Sequence, residues 1–314
     1  MAHCGVQRRL MTPSLLVLAA GMGSRYGGLK QLDPMGPHGE TVMDYAIFDA
    51  LRAGFGRVVF VIRRDFEVPF REQVLSRYDG RIDVDYCFQD MHNLPGGHGV
   101  PEGRTKPWGT THAILAARDS IREPFAAINA DDFYGEDSYR VLHRFLSDPA
   151  RQTSPHVYAM VGFTLRSTLS AHGTVARGVC VTDAQGHLQS IRELTKVLPV
   201  GEHVENQDGS SDPPERLTGN EPVSMNMWGF TPELFPQIEQ AFEEFLTRDG
   251  RELKSECYIP ATVDVLIRRG ACVVEVLPTS SRWFGVTYRE DRPSVVQAMA
   301  DLAASGAYPA PLFG

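Results

Sequence analysis

A strand-length apolar run that leads straight into a glycine-rich loop restricts the fold of this chain more than any other feature. Residues 15–20 are all apolar, and the loop after them reads Gly-Met-Gly-Ser-Arg-Tyr-Gly-Gly-Leu-Lys. Gly21 and Gly23 lack a Cβ, so the backbone can turn tightly there and approach a ligand closely. Arg25 and Lys30 add a planar cation and a mobile one, both suited to phosphate oxygens. The segment predicts a buried strand followed by a phosphate-binding loop.

The dinucleotide fingerprint G-x-G-x-x-G is the main alternative for this loop. Here the third glycine comes one position late, and Arg25 and Tyr26 follow the Gly21-x-Gly23 pair. No helical pattern begins until about Thr41, because glycines and prolines interrupt the intervening segment. The loop therefore disfavours a nicotinamide-dependent enzyme.

Strand-length and helix-length apolar patterns alternate along the rest of the chain. Such alternation predicts an α/β fold with a mostly parallel sheet flanked by helices, and more frequent strands from about residue 156 predict a mixed second half. The predicted strands after the first are 58–62, 82–88, 125–130, 157–165, 175–182, 187–194, 223–230 and 272–277, and the predicted helices are 42–53, 68–78, 110–118, 138–146, 232–246, 258–269 and 293–304. Residues 199–221, rich in Gly, Asp, Ser, Pro and Asn, predict a mobile loop.

Two adjacent carboxylates follow another apolar strand. Asp131 and Asp132 come directly after residues 125–130. Ligands of open α/β sheets bind beyond the carboxyl ends of the strands, which places this pair near the glycine loop. Mg²⁺ takes few protein carboxylates and fills its other positions with water and phosphate oxygens. Because successive residues of an extended chain point to opposite sides, we expect one of the two to face a Mg²⁺ site, unless they only form a turn or cap a helix.

Composition narrows the range of partners. The 314 residues carry a formal net charge of −8 and contain no long basic run, so we expect no nucleic-acid partner. No window approaches the roughly 18 apolar residues needed to span a bilayer. Arg8 and Arg9 before the apolar run are typical of a signal peptide, but cleavage there would destroy the loop, so we expect a cytoplasmic protein. The five cysteines form no C-x-x-C, which predicts neither a disulfide framework nor a zinc site.

The first strand and its loop resemble the signature of the sugar nucleotidyltransferases, also called NDP-sugar pyrophosphorylases. Glucose-1-phosphate thymidylyltransferases and UTP–glucose-1-phosphate uridylyltransferases carry this signature. The matching residues are Leu18, Ala19, Ala20, Gly21, Gly23, Arg25 and Lys30. The resemblance implies a Rossmann-like fold whose loop wraps an NTP, with Arg25 on the leaving phosphates and Lys30 near the α-phosphate. It also implies that Asp131 holds Mg²⁺.

The resemblance further implies a base site between these strand ends. Gln89 and Gly109 would meet the edge of the nucleobase, and Thr110 would pack the start of a helix beneath the nucleotide. Residues 91–107 form an insert, for which a lid and a solvated loop both stay open. Trp108 fits either packing or base stacking, and His112 fits a structural role in the first turn of the predicted helix.

Three weaker matches concern the sugar phosphate. Gly173 stands in a glycine-containing turn that in the family contacts the sugar, and Asn226 stands in the strand of the sugar pocket. Glu193 and Lys196 resemble the glutamate and lysine that grip the sugar hydroxyls and the phosphate. The lysine is displaced here from its usual position.

One departure from the family pattern concerns the metal. In several relatives an aspartate two residues after a tryptophan completes the metal site, but here Gly285 follows Trp283 at that spacing. Water, or another acid such as Glu290 or Asp291, would then substitute, or Asp131 and the phosphates would suffice.

The sequence as a whole predicts a Mg²⁺-dependent nucleotidyltransferase that condenses an NTP, with UTP or dTTP favoured, with a sugar 1-phosphate and releases pyrophosphate. We expect a tail over residues 1–13, a nucleotide-binding half over 14–155 and a sugar-phosphate-binding half with C-terminal helices over 156–314, within one catalytic domain that could form a homo-oligomer. Two alternatives stay open. One is a transferase with a non-sugar phospho-acceptor, and the other is a vestigial nucleotide- or sugar-binding regulator.

Overall fold

The computed structural model describes residues 11–21, 33–153, 156–286 and 288–313. Gly23, Arg25 and Lys30 lie outside the described residues. The strands are β1 (Ser14–Leu18), β2 (Arg57–Ile62), β3 (Asp83–Phe88), β4 (Phe125–Asn129), β5 (Asp132–Phe133), β6 (Val157–Thr164), β7 (Val175–Thr182), β8 (Leu188–Val200), β9 (His203–Asn206), β10 (Glu215–Leu217), β11 (Pro222–Phe230), β12 (Val273–Pro278) and β13 (Phe284–Gly285). The helices are α1 (Val42–Ala53), α2 (Glu67–Gln73), α3 (Thr110–Ala116), α4 (Glu136–Ser147), α5 (Pro149–Thr153), α6 (Leu234–Asp249), α7 (Ile259–Arg268) and α8 (Arg292–Ala304).

The main sheet has the strand order β3-β2-β1-β4-β11-β6-β12. β11 is antiparallel to both of its neighbours, β4 and β6, and the other strands of this sheet run in one direction. The predicted α/β fold with a mostly parallel sheet flanked by helices is therefore confirmed. Because parallel strands have their carboxyl ends at one edge, the segments after β1, β3 and β4 meet there.

Both faces of this sheet are buried under helices. In β1, Leu15 and Val17 pack with residues of α1, α2 and α4, whereas Leu16 packs on the other side with residues of α3, α6 and α7. Alternate side chains of a strand point to opposite faces, so a strand covered on both sides is apolar throughout. In the described part of the chain, no helix is long and apolar enough to cross a membrane.

Helix α1 has signals at both ends that fix its bounds. Thr41 and Asp44 form a capping box, in which the Asp44 amide donates to Thr41 Oγ1 over 3.2 Å and the Thr41 amide donates to Asp44 Oδ2 over 2.7 Å. Gly54 follows the helix with a φ of 104°, a left-handed conformation that glycine adopts without strain. The predicted helix over 42–53 is confirmed at both of its ends.

Four antiparallel strands, β7 to β10, extend from the amino-terminal end of β11. β7 pairs with β11 at Gly178 and Ser224, and β8, β9 and β10 follow in order. The prediction of a mobile loop over 199–221 is wrong where β9 and β10 form. Val204 and Leu217 lie opposite each other and are both buried, so two apolar side chains hold these strands within an otherwise polar segment.

The short strands β5 and β13 pair with each other apart from the main sheet. Asp132 lies opposite Gly285 in this pair. Each strand is only two residues long, so no periodicity in the sequence predicts it. The pair brings the segment after β4 against the segment after β12, next to the carboxyl edge of the sheet.

Candidate active site

Three strand ends meet at the carboxyl edge of the sheet. The Ala19 amide donates to β2 over 2.9 Å, and the Ala130 amide donates to the last residue of β1 over 3.3 Å. The Gln89 amide donates to the last residue of β2 over 2.9 Å. The start of the glycine loop, Gln89 and the segment that carries Asp131 therefore leave the sheet side by side.

In the described part of the glycine loop, the residues at its start are buried and the first glycine is exposed. Ala19 and Ala20 are buried, so they would reach a nucleotide through main-chain atoms. Gly21 is exposed, and a Cβ there would have nothing within 4 Å. The predicted phosphate contacts of Arg25 and Lys30, with Gly23, lie outside the described residues and stay predictions.

A chain of hydrogen bonds connects β11 with the end of β4. The indole Nε1 of Trp228 donates to Asn226 Oδ1 over 3.1 Å, and Asn226 Nδ2 donates to Asn129 Oδ1 over 2.6 Å. Asn129 Nδ2 then donates to Asp132 Oδ2 over 2.8 Å. Because an indole nitrogen can only donate, Trp228 sets the direction of every bond that follows. We call this set the Trp228–Asp132 chain, and it ends with a donor aimed at a carboxyl group.

Asn226 reaches this chain because β11 is irregular at that point. The register of β11 against β6 shifts between Ser224 and Trp228, and Asn226 has a φ of 63°. Asparagine tolerates this left-handed conformation better than most residues do. The residue predicted to contact the sugar therefore lies at a bulge, where its side-chain amide already bonds to Asn129 and Trp228.

The Asp132 carboxyl group ends the chain in a largely buried setting. Burial raises the pKa of Asp132 to about 7, and Asp131 acts in the same direction, whereas Asn129, Tyr134 and Arg177 oppose the rise. The Tyr134 hydroxyl lies 3.3 Å from Asp132 Oδ2. Asp131, the predicted metal ligand, lies in the turn between β4 and β5. Two carboxyl groups therefore lie together at this edge.

Position 285 has no room for a further carboxylate. A Cβ on Gly285 would lie 2.3 Å from the ring of Trp283 and 3.0 Å from Asp132 Oδ1. Across the described ranges, no group of three or more His, Cys, Asp or Glu side chains is placed to hold a metal ion. Asp131 lies in a turn and not in an extended strand, so the alternation that favoured a single carboxylate does not apply. Both Asp131 and Asp132 could hold Mg²⁺, which takes few protein ligands.

Gln89 lies on the other side of β1, after β3. Its Nε2 donates to Gly109 O over 3.0 Å and lies 3.3 Å from His112 Nδ1. His112 Nε2 in turn lies 3.2 Å from Asn93 O, and burial lowers the pKa of His112 to about 4. The predicted base contact is thus a nearly buried side chain whose amide nitrogen is already engaged.

The segment at Gly109 is held by the chain that precedes α7. Gly109 has a φ of 94°, and a Cβ there would lie 2.5 Å from Cys257 O, so packing within the protein itself requires glycine. Thr110 Oγ1 accepts a hydrogen bond from the Ile259 amide over 2.9 Å at the start of α7. Thr110 therefore joins α3 to α7 beneath the predicted base site.

The insert over 91–107 is anchored at both ends. Arg104 donates to Glu252 O over 2.8 Å and to Ser255 O over 2.6 Å, and its guanidinium carbon lies 3.4 Å from the centre of the Trp108 ring. The Trp108 indole nitrogen donates to the first residue of the insert over 3.1 Å. Trp108 is fully buried, so of its two open roles the structure shows packing.

Three strands bring part of the predicted sugar site into one row. Gly178 in β7 pairs with Glu193 in β8 and with Ser224 in β11. Sequence analysis missed Gly178, although a glycine inside a predicted strand marks a close approach of another group. Gly173, the predicted contact, lies elsewhere, with the Tyr288 hydroxyl 3.0 Å from where its Cβ would be.

A bulge in β8 affects the spacing of the two predicted sugar-binding charges. Between Leu194 and Val197, β8 has one residue more than the paired part of β7, and both of these side chains are buried. Thr195 and Lys196 are exposed. Lys196 therefore shares a face of β8 with Glu193, three residues away, which regular alternation would not allow.

Arg177 is a buried cation that sequence analysis did not single out. Its Nε donates to Thr168 O over 3.1 Å and to Thr168 Oγ1 over 3.0 Å, and its guanidinium carbon lies 5.0 Å from the centre of the Trp283 ring. Burial lowers the pKa of Arg177 to about 10, whereas Asp132 and Glu193 act to raise it. Arg177 also lines a cavity of about 760 Å³ between the β6–β7 connection and the segment after β12. The charge of Arg177 therefore interacts with Asp132 of the carboxylate pair and with Glu193 of β8.

Sequence comparison identifies a relative that aligns with nearly the whole chain. No family model matches the chain. The chain is 22% identical over 292 residues to the UTP–glucose-1-phosphate uridylyltransferase AglF of Haloferax volcanii. The alignment covers 91% of this chain and 96% of that protein.

Solved structures share the fold at lower identity. A UDP-glucose pyrophosphorylase complexed with UDP-glucose has a TM-score of 0.55 and 19% identity, over 92% of this chain and 98% of its own. A Bacillus anthracis protein assigned as a glucose-1-phosphate thymidylyltransferase has a TM-score of 0.59 and 13% identity, over 92% and 96%. The inositol-1-phosphate CTP transferase of T. maritima has a TM-score of 0.56 and 11% identity, over 93% and 96%. The resemblance of this chain to the sugar nucleotidyltransferases, predicted from its first strand and loop, is therefore confirmed in sequence by the uridylyltransferase and in fold by these structures.

Proposed function

We propose that the protein is a sugar-1-phosphate nucleotidyltransferase, which transfers a nucleoside monophosphate from an NTP to a sugar 1-phosphate and releases pyrophosphate. The observation that carries this proposal is the carboxyl edge of the sheet, where the glycine loop, Gln89 and the Asp131–Asp132 pair follow the ends of β1, β3 and β4. The similarity to a UTP–glucose-1-phosphate uridylyltransferase over 91% of the chain supports the same class of reaction.

The reaction depends on positioning and charge neutralisation, and it needs no covalent nucleophile from the protein. A phosphate oxygen of the sugar 1-phosphate would attack the α-phosphorus of the NTP. The bond from the α-phosphorus to the bridging oxygen would break, and pyrophosphate would leave with that electron pair. By resemblance, Lys30 would lie near the α-phosphate, while Arg25 and the loop around Gly21 and Gly23 would hold the departing phosphates.

Asp131 and Asp132 would hold Mg²⁺, which when bound neutralises negative charge on the phosphates. Asn129 donates to Oδ2 of Asp132, whereas Oδ1 of Asp132 faces Gly285 and would serve as a ligand. Several relatives carry an aspartate at the position that Gly285 occupies. Asp132, directly across the β5–β13 pair, would supply that carboxylate from the opposite strand.

The sugar phosphate would lie against the row formed by β7, β8 and β11. Glu193 and Lys196, on one face of β8, would bind the sugar hydroxyls and the phosphate. Asn226 would contact the sugar as predicted and would also hold Asn129 in place. The relatives that use UTP and dTTP favour these two nucleotides, and the choice between them stays open because uracil and thymine present the same hydrogen-bonding edge.

The test is pyrophosphate release with Mg²⁺, over five NTPs combined with common sugar 1-phosphates and with inositol 1-phosphate. We expect release that depends on one sugar 1-phosphate and disappears in Asp131→Ala. Release with inositol 1-phosphate alone would move the assignment to a non-sugar acceptor. Nucleotide binding with no release in any combination would contradict the enzyme and favour a vestigial regulator.

A further inference from the structure

The buried side chain of His112 contacts Gln89 behind the predicted base site. Gln89 Nε2, the two ring nitrogens of His112 and Asn93 O form a line of contacts of 3.3 Å and 3.2 Å. We call this line the Gln89–Asn93 chain. The His112 ring also lies parallel to Phe242, with ring centres 5.0 Å apart and planes at 17°.

The two contacts fix the tautomer of His112. Burial lowers the pKa of His112 to about 4, with Asp90 and Arg104 acting in opposite directions, so the ring is neutral at neutral pH. A neutral imidazole has one donor and one acceptor nitrogen. Asn93 offers a main-chain carbonyl, which can only accept, so Nε2 carries the hydrogen. Nδ1 is therefore the acceptor, and Gln89 must donate to it.

These contacts engage the nitrogen of the Gln89 amide group. It has two hydrogens, and its nitrogen faces Gly109 O at 3.0 Å and His112 Nδ1 at 3.3 Å. Rotation of the amide by 180° would place Oε1 against two acceptors, which is repulsive. The polar atom that remains for a ligand is Oε1, and this oxygen can only accept a hydrogen bond.

We propose that His112 is a positioning residue, which holds Gln89 so that its carbonyl oxygen faces the nucleobase and selects a base edge that presents an N–H group. In uracil and thymine this group is N3–H. The inference rests on the proposed function, because it takes Gln89 to be the base contact. A residue that served packing alone would leave base selection unchanged when its nitrogens are removed.

Two substitutions at His112 separate hydrogen bonding from packing. His112→Phe keeps a ring against Phe242 but removes both nitrogens. His112→Asn loses the ring but places an oxygen near the position of Nδ1, where it can accept from Gln89. Phe242→Leu is the matched control, since it weakens the ring contact and leaves the Gln89–Asn93 chain complete.

The measurement is the affinity for UTP, dTTP and the N3-methyl analogue of UTP by calorimetry, with kcat and KM where turnover occurs. For the wild type we expect the N3-methyl analogue to bind at least tenfold more weakly than UTP. In His112→Phe this ratio should fall at least fivefold and KM for the NTP should rise, with a small change in kcat. His112→Asn should restore the ratio despite a lower melting temperature, and Phe242→Leu should keep it.

The outcomes distinguish this inference from the proposed function. An unchanged ratio in His112→Phe, with wild-type turnover intact, would overturn the role of His112 and leave the nucleotidyltransferase standing. Turnover with ATP or CTP, whose pairing edges carry no ring N–H, and no binding of UTP or dTTP, would overturn the inference alone. No nucleotide binding at all would overturn both. The ¹⁵N shifts of His112 give an independent check: a hydrogen on Nδ1 at pH 7 would contradict the proposed tautomer.

Discussion

At both ends of the carboxyl edge, a chain of hydrogen bonds orients a side-chain amide, but the two chains position different groups. At one end, the Trp228–Asp132 chain starts from an indole N–H, which can only donate, and ends with an amide that donates to a carboxyl group. At the other end, the Gln89–Asn93 chain starts from a main-chain carbonyl, which can only accept, and leaves a side-chain oxygen as an acceptor. In each case a group with a single possible role orients an amide that could otherwise face either way.

The two chains of hydrogen bonds differ in the group that each of them positions. In the proposed function, the Trp228–Asp132 chain ends at a carboxyl group that would lie beside the reacting phosphates, so its loss should change the rate of the chemical step. The Gln89–Asn93 chain ends at a neutral amide that would lie beside the base, so its loss should change nucleotide affinity and selection. The two ends can therefore be distinguished by whether a substitution changes kcat or KM.

The largest expected effect concerns charge at the phosphates. Asp131→Ala and Lys30→Ala should each reduce turnover by roughly 10²–10³-fold, the usual effect of removing one electrostatic contact with the transition state. Steady-state kinetics at saturating NTP would measure this. Asp79→Ala, at an exposed aspartate outside the site, is the control. Near-wild-type turnover in both variants would contradict the proposed roles of Asp131 and Lys30 at the phosphates.

At the base end, the largest effect should be on stability. Gly109→Ala would place a Cβ 2.5 Å from Cys257 O at a residue whose φ is 94°. It should lower the free energy of unfolding by about 2–3 kcal/mol. Gly80→Ala shares the left-handed conformation, at 68°, but has nothing within 4 Å, and should cost about 1 kcal/mol. Urea denaturation would compare the two. Equal losses would show that Cys257 does not constrain this segment.

The Asp132 carboxyl group should make stability depend on pH. Its pKa is raised from 3.8 to about 7 in the folded protein, so the folded state binds this proton more tightly than the unfolded state does. Without Mg²⁺, wild-type stability should therefore fall as the pH rises from about 4 to 7. Asp132→Asn should be more stable than wild type by at least about 1 kcal/mol at pH 8 and equally stable at pH 4. A gain that is the same at both pH values would contradict this reasoning, and added Mg²⁺ should stabilise only the wild type.

The smallest expected effect tests the far end of the Trp228–Asp132 chain. Trp228→Phe keeps a buried ring beside Phe230 but removes the N–H that sets the bond directions. Loss of one hydrogen bond of about 1 kcal/mol corresponds to a fall in kcat of roughly fivefold. KM for the NTP should not change, in contrast to His112→Phe. A change in KM alone would remove the distinction between the two ends.

The local features of the fold could be predicted from the sequence, and the long-range contacts could not. Helix α1 has a capping residue before it and Gly54 after it, so its bounds are encoded nearby. The Trp228–Asp132 chain joins Asn226 to Asn129, which are 97 residues apart, and the bulge that aims Asn226 leaves no periodic pattern. The resemblance supplied Asp131 and Gln89 as candidates, but the tautomer of His112 follows only from its position against Asn93.

Strand β11 is hydrogen-bonded to β4 near its carboxyl end and to β7 near its amino end, with the Asn226 bulge between them. The carboxylate pair and the row of Gly178, Glu193 and Ser224 are therefore linked through one short piece of backbone. From Ser224 to Trp228 that piece spans at most about 13 Å, at roughly 3.3 Å per residue. This segment lies between the proposed sites of the two substrates. The length of this segment would then limit how far apart the two substrates bind.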